Sequence, residues 1–254
     1  MSDDLGEPVP LPNGPRRVVS LVPSLTEAIV ASVSGVLVGA TDYCVHPPMP
    51  DVARVGGSKY PRVPDVLALR PDLVVANAEE NRPSDVDALR ANGVAVWVTA
   101  APPTVPAALG SIRRLLCTGF GVTEPEWLVA AEERWREVVP ITATAIVAVW
   151  RRPWVVLGRD TFAGDILRRL GVGNAYAEHA DRYPRPPLDE LRATLRSGAA
   201  DLVVLPDEPY EFTEDDGPDA FPCAPHVLVS GRHLTWYGPS LLAAHAELTA
   251  ALLP

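Results

Sequence analysis

Lysine is almost missing from this chain of 254 residues: Lys59 is the single one, with arginine supplying the remaining positive charge. Basic residues total 22 against 32 acidic ones, a formal net charge of −10 at pH 7. Clustered cations are what a protein needs to neutralise phosphates, so this balance excludes a nucleic-acid surface. Cysteine is scarce as well. Cys44, Cys117 and Cys223 are odd in number and far apart, which fits neither a disulfide framework nor a CxxC metal knuckle. Cys117, in "IRRLLCTGFG", reads as buried helix packing. No apolar run reaches the ~18 residues of a membrane span. The opening "MSDDLGEPVPLPNGPRR" has neither a basic nor an apolar signal region, so the chain as written is expected in the cytoplasm, or outside it if the true start lies elsewhere. There is no GxGxxG after a strand, no GxxxxGK(S/T) and no GxSxG. Adjacent Glu79 and Glu80 do not by themselves define an acid/base pair.

What is present is an alternation of strand and helix. Residues 1–15, rich in Pro, Asp and Gly, read as a loose arm. "RRVVSLVPSLTEAIVA" reads as a strand, a turn and a helix capped by Ser24 with Glu27 closing a capping box. "GVLVGAT" is a strand, and "VPDVLALRPDLVVAN" a helix running into a buried strand; "PSDVDALRANGVAVWVTA" repeats that order. The second half replays it: "ATAIVAVW" and "WVVLG" are strands, and "RDTFAGDILRRLGV" is a helix capped by Asp160 or Thr161. "LDELRATLRSGAADLVVLPDEP" then echoes the first DLVV strand and its acidic loop. Such alternation implies parallel sheets covered on both faces, and the replay implies a duplicated α/β lobe. The expected organisation is an arm over 1–15, a first lobe over 16–122, a connecting helix over 123–139 and a second lobe over 140–254. The connector is capped by Thr123 and carries Trp127, Leu128, Ala131 and Trp135 as core at helical spacing.

In open parallel sheets ligands sit beyond the carboxyl ends of the strands. Those loops hold "TDYCVHPP", "NAEENRP", "WRRPW", "GRDTF", "LPDEPYEF" and "LTWYGPS". Aromatic residues are only 6% of the chain, so their gathering in these loops points to a cleft lined by Tyr43, Trp150, Trp154, Tyr210, Phe212, Trp236 and Tyr237. Asn77 and Glu80 are polar candidates after the first DLVV strand; Asp207 is one after the second, with Arg159 in the loop between. Cys44 and His46 form a Cys-x-His pair, yet a zinc site wants three or four protein ligands. His179, His226 and His233 read as surface or loop residues that only the fold could bring together.

Taken in order, "RVVSLVPSLTEAI", "VGATDYCVHPP", "VGGSKYPRVPDVLALRPDLVVAN", "GRDTFAGDILRRLGVGNAY", "DLVVLPDEPYEF" and "LTWYGPSLL" resemble the helical-backbone metal-complex receptors, the substrate-binding proteins of cobalamin and iron-siderophore ABC importers. The resemblance implies two Rossmann-like lobes with parallel-rich sheets joined by one helix, the class III substrate-binding-protein fold. It also implies a monomer that is not an enzyme and has no intrinsic cofactor, with a cobalamin-like chelate as ligand before a ferric siderophore. Within the cobalamin branch it carries an aromatic ligand contact to Tyr43 and a further contact to Lys59 or Tyr60. Family members dock on a permease through one glutamate per lobe, which implies Glu190 in the second lobe; the first-lobe counterpart is Pro64, with Asp65 beside it. The rival reading is a chelatase or cobalamin-processing enzyme on the same scaffold, which requires Cys44, His46, His179 or His233 to converge.

Overall fold

The computed structural model describes residues 1–11 and 14–252. It divides into two compact units. The first comprises Met1–Ala101, Ala108–Val129 and Tyr237–Pro239; the second comprises Pro102–Ala107, Ala130–Trp236 and Ser240–Pro254.

The first unit is built on β1 (Val18–Ser20), β2 (Leu37–Ala40), β3 (Ala53–Arg54), β4 (Leu73–Asn77) and β5 (Val96–Thr99), ordered β3-β2-β1-β4-β5 with every pair parallel. Helices α1 (Pro23–Ser32), α2 (Val63–Ala68) and α3 (Pro83–Ala91) connect the strands. Side chains alternate across a strand, so Val19, Val74, Ala76, Val96 and Val98 share one face. There they pack with Val66 of α2 and with Val86 and Leu89 of α3. Leu73, Val75 and Trp97 point to the other face and are equally buried, which is why these strands read as continuous apolar runs. After β5 the chain forms α4 (Val105–Arg113), which ends in a π-helical turn, Arg114–Gly119.

The second unit holds β6 (Ala143–Trp150), β7 (Val155–Val156), β8 (Val172–Asn174), β9 (Leu202–Pro206) and β10 (His226–Val229). β9 lies between β6 and β10, all parallel; the other edge of β6 is shared by parallel β8 at its start and antiparallel β7 at its end. Stripped of β3 and β7, the two sheets have the same order: β2-β1-β4-β5 in the first and β8-β6-β9-β10 in the second. The replay of elements in the sequence is therefore a replay of topology, with the DLVV strand next to the founding strand each time. The equivalence fails after β9, where a short 3-10 turn, Pro218–Ala220, stands in place of a helix. α6 (Phe162–Arg169), α7 (Leu188–Arg196), α8 (Gly231–Thr235) and α9 (Leu241–Leu252) complete the unit.

Several local expectations change. The N-terminal residues are anchored rather than loose: Asp3 is buried, accepts from the backbone N–H of Leu5, Glu7 and Val98, and pairs with Arg90. Ser24 and Glu27 make no capping box, because α1 starts two residues earlier than a Ser24 cap requires, at Pro23 with Val22 as N-cap; the fixed φ of Pro23 suits the first helical position. The connecting helix α5 is shorter, Glu126–Arg134, with Thr123 outside it; the two β-branched residues and the proline of Val138–Val139–Pro140 oppose its continuation. The units divide inside it, between Val129 and Ala130. Leu128, Ala131 and Trp135 are buried, while Trp127 is half-buried and donates to the Ser32 hydroxyl. Of the two candidate caps for α6, Thr161 is the one used: its Oγ1 accepts from Gly164 N at 3.3 Å. Cys117 is half-buried.

Candidate functional site

At the carboxyl end of the first sheet, the loops after β2, β3 and β4 are tied into one surface. Asn77 and Asn81 do the tying. Asn77 Oδ1 accepts from the backbone N–H of Glu79 and Glu80, its Nδ2 reaches Thr99 and Ala100, and its own N–H donates to Asn81 Oδ1 at 2.7 Å. Asn81 Nδ2 in turn donates to the carbonyls of Leu21 and Ser58. Asn77, expected to face a ligand, is thus a buried loop anchor whose polar atoms are spent on the backbone.

The side chains left facing outward are the tyrosines. Tyr43 is 65% exposed and Tyr60 68%. Tyr43 rests against Gly57, where an added Cβ would stand 3.3 Å from its ring. Gly56 makes the adjoining turn at φ +92°, a conformation that other residues adopt only with strain. Tyr60 is covered on one side by the Arg82 guanidinium at 4.6 Å, and Arg82 is held by both carboxylate oxygens of Asp85. Lys59 Nζ donates to the Glu79 carbonyl at 3.0 Å. Arg82 is the arginine of the "NAEENRP" loop, where it reads either as part of a ligand-facing polar set or as the partner of a glutamate; the acid that holds it is instead Asp85, inside α3.

Beside them, Tyr237 returns from the end of the chain to the first unit and its hydroxyl donates to Glu80 Oε1 at 3.5 Å. Burial, reinforced by the charge of Glu79, pushes the Glu80 carboxyl up to about 7; Tyr237 and Lys59 pull the other way. Burial and the neighbouring Glu80 charge raise the Tyr237 phenol well above its ordinary value. A carboxyl poised near neutrality can both accept and donate hydrogen bonds at physiological pH. Tyr237 was expected as an exposed cleft aromatic; it is buried and acts through its hydroxyl.

Cys44 is not available to a metal. Its thiol is buried, 3.1 Å from the hydroxyls of both Thr26 and Thr41, and burial raises its pKa. His46 is exposed two residues on, before a cis bond to Pro47. His179 Nδ1 accepts from the N–H of Asp181, His226 lies 3.9 Å from Glu214, and His233, expected in a loop or on the surface, is buried in α8 with Nδ1 2.9 Å from Glu247. Among the described residues no group of three or more His, Cys, Asp or Glu is placed to hold a metal ion.

At the carboxyl ends of the second sheet the aromatic candidates separate into two kinds. Trp150 is exposed and meets Tyr210 edge-on at 5.3 Å, so this pair offers a surface. Trp154 and Phe212 are core: they stack at 5.9 Å, with Phe221 edge-on to Trp154 at 5.2 Å, and are 9% and 2% exposed. Trp236 is also buried, its indole N–H donating to Glu208 at 3.1 Å. Asp207 is exposed but accepts from Gly231 N at 2.6 Å, and Arg159 is paired with Asp160. The residue that organises this end, Arg151, had no sequence signal, because its partners Asp216 and Asp219 are more than sixty positions away. Asp216 also receives the Tyr210 hydroxyl. Positive φ at Arg152 (68°) and Asp160 (51°) marks strained backbone in these loops, as is common at binding sites.

The proposed docking residues are both exposed: Glu190 accepts from the Tyr176 hydroxyl at 3.2 Å, and Asp65 pairs with Arg62.

Two α/β units with parallel-rich sheets of matching order define the class III substrate-binding-protein fold, and solved structures of that class superpose on this chain. A periplasmic heme-binding protein from Pseudomonas aeruginosa does so with a TM-score of 0.77 and 25% identity, over 93% of this chain and 92% of that one. The periplasmic vitamin B12-binding protein of Vibrio cholerae does so with a TM-score of 0.70 and 16% identity, over 94% and 97%. In sequence, a vitamin B12-binding protein of Vibrio cholerae serotype O1 is 30% identical over 187 residues, which is 69% of this chain; the chain spans about two thirds, 66%, of that relative's length. No protein-family model matches. Its sequence relatives and structural neighbours are thus periplasmic binding proteins for vitamin B12 and heme, which matches the resemblance to the helical-backbone metal-complex receptors.

Proposed function

We propose that this protein is a receptor for a metal chelate, a corrinoid of the cobalamin type, and that it hands the ligand to an ABC permease on the outer side of a membrane. The observation that carries the ligand class is the carboxyl end of the first sheet: two exposed tyrosines flank a set of hydrogen-bonding groups, Lys59, Glu79 and Glu80, around a surface with no resident metal group among the described residues. Flat apolar faces suit aromatic side chains, and peripheral amides suit groups that both donate and accept. On this reading the metal arrives inside the ligand, and the protein contributes binding rather than catalysis.

Heme is the second reading, favoured by the superposition on the Pseudomonas aeruginosa heme-binding protein. Charge favours the corrinoid. Glu79 and Glu80 on the first unit, and Asp207, Glu208, Asp216 and Asp219 on the second, make both strand ends acidic, with Lys59 and Arg151 already engaged. Peripheral carboxylates of a porphyrin would meet like charge there, whereas the neutral amides of a corrinoid would not. On the first unit Tyr43 and Tyr60 supply the contact area; the second unit carries its own exposed pair, Trp150 and Tyr210, and Glu190 and Asp65 are the docking residues for the permease.

Titration with cobalamin, cobinamide, hemin and a ferric siderophore, followed by tryptophan fluorescence, tests the proposal. Quenching by the corrinoids at micromolar concentration is expected. No response to any of the four at tens of micromolar would end the receptor reading, and tighter binding of hemin than of both corrinoids would reverse the choice of ligand.

A further inference from the structure

The second unit contains a cavity of about 290 Å³ at the end of its sheet opposite to the loops described above. Ala200 and Asp201 lead into β9 there, and Pro225 leads into β10. The buried ring of Phe221 and the buried Ala200 form its inner wall, with Leu195 and Ala224 half-buried beside them. Arg192 and Arg196, one turn apart on α7, stand at its edge with the exposed Cys223.

The two arginines differ in what they already hold. Arg192 donates through Nε to the Ala220 carbonyl at 2.9 Å, which fixes its guanidinium against the rim and leaves its terminal nitrogens 3.8 Å from the exposed Asp189 at best. The Arg196 side chain has no hydrogen bond or ion pair among the described residues. Asp201 is the one acid on the rim, and its carboxylate is turned onto the backbone N–H of Thr144 at 2.7 Å. In a chain of net charge −10, an apolar hollow edged by two guanidiniums and one committed carboxylate is complementary to a negative group attached to an apolar body.

We propose that this cavity is a second binding site, for a small amphiphile with an apolar body of aromatic-ring size and a single anionic group. The ring lies on Phe221 between Leu195 and Ala224; the anion meets Arg196 and the free edge of Arg192. The site does not rest on the metal-chelate reading: Phe221, whose other side packs edge-on against Trp154, is the one lining residue it shares with the aromatic cluster described above. A ligand of about ten non-hydrogen atoms binds on the millimolar scale.

Cys223 provides the readout, being exposed where Cys44 is buried and Cys117 half-buried. Its alkylation by the neutral reagent N-ethylmaleimide, followed by mass spectrometry of the Cys223 peptide, is measured on the full chain against phenylacetate, phenylacetamide and phenethylamine. Phenylacetate is expected to slow the reaction at a few millimolar, with the neutral amide and the amine at least about fivefold weaker, the scale of one charge-assisted contact. Arg196→Gln, at an exposed position that leaves the wall intact, is expected to raise the half-protecting concentration of phenylacetate by a similar factor. Equal protection by all three compounds, no protection at tens of millimolar, or an unchanged response in Arg196→Gln would each overturn the proposal.

Discussion

Tyr43 and Trp154 are both aromatic residues in loops at strand ends, and nothing in their immediate sequence says that one is a surface and the other a core. The second sheet decides it: Trp154 follows a tight turn that brings β7 back antiparallel on β6, and so it faces Phe212 and Phe221. Trp154→Ala is therefore expected to cost about 3–5 kcal/mol of stability, read as a fall in the urea midpoint, whereas Tyr43→Ala and Tyr60→Ala leave that midpoint within about 0.5 kcal/mol and weaken corrinoid binding instead. Equal losses of stability in all three would contradict the partition. Glu80 carries a pH prediction. Its carboxyl holds a proton up to about pH 7 in the folded chain but only to about 4.5 in the unfolded one, so the folded state binds more protons across that window. Stability contributed by this group is present below about pH 4.5 and is lost as pH rises to about 7. Discounted for its partial exposure, the loss is roughly 1–2 kcal/mol. Glu80→Gln should flatten that part of the stability curve and be more stable than the parent at pH 8; an unchanged slope would place the carboxyl in solvent.

Elements were more legible than residues, because the signal for an element is spread over many positions. Continuous apolar runs after Asp72 and Asp201 lead into fully buried parallel strands, and the repeat of elements around them reports a repeat of topology. What stayed illegible depends on choices local pattern cannot make. At α1 a first-turn proline displaced the Ser24 cap; at α6 Asp160 and Thr161 compete, and the left-handed backbone of Asp160 leaves Thr161 with the extended φ and ψ that an N-cap needs. Thr161→Ala is accordingly expected to lower thermal stability by about 1 kcal/mol, with Asp160→Ala costing less despite its ion pair with Arg159, which is exposed. Asn77 shows the opposite failure: its position at a strand end suggested a ligand contact, yet the loop it precedes needs two backbone N–H groups satisfied, and Asn77 is the residue that satisfies them.

For the molecule as a whole, the useful quantity is charge, which the sequence states outright and the fold only distributes. Acidic groups at both strand ends and a net charge of −10 repel an anionic ligand over a distance set by salt, since the Debye length shrinks from ~30 Å at 0.01 M to ~10 Å at 0.1 M. An uncharged amide-fringed ligand has no such penalty to screen. If the corrinoid reading holds, the affinity for cobalamin changes less than about twofold when sodium chloride is raised from about 0.01 to about 0.3 M, because contact area and hydrogen bonds dominate it. Hemin, with two ionised propionates, then binds more weakly at low salt and tightens as salt is added, and at pH 8, where the Glu80 carboxyl is ionised, Glu80→Gln narrows the gap between the two ligands by removing one of the charges responsible. The opposite pattern, hemin binding tightest at low salt, requires a cationic surface that neither the composition nor the engaged Lys59 and Arg151 provide.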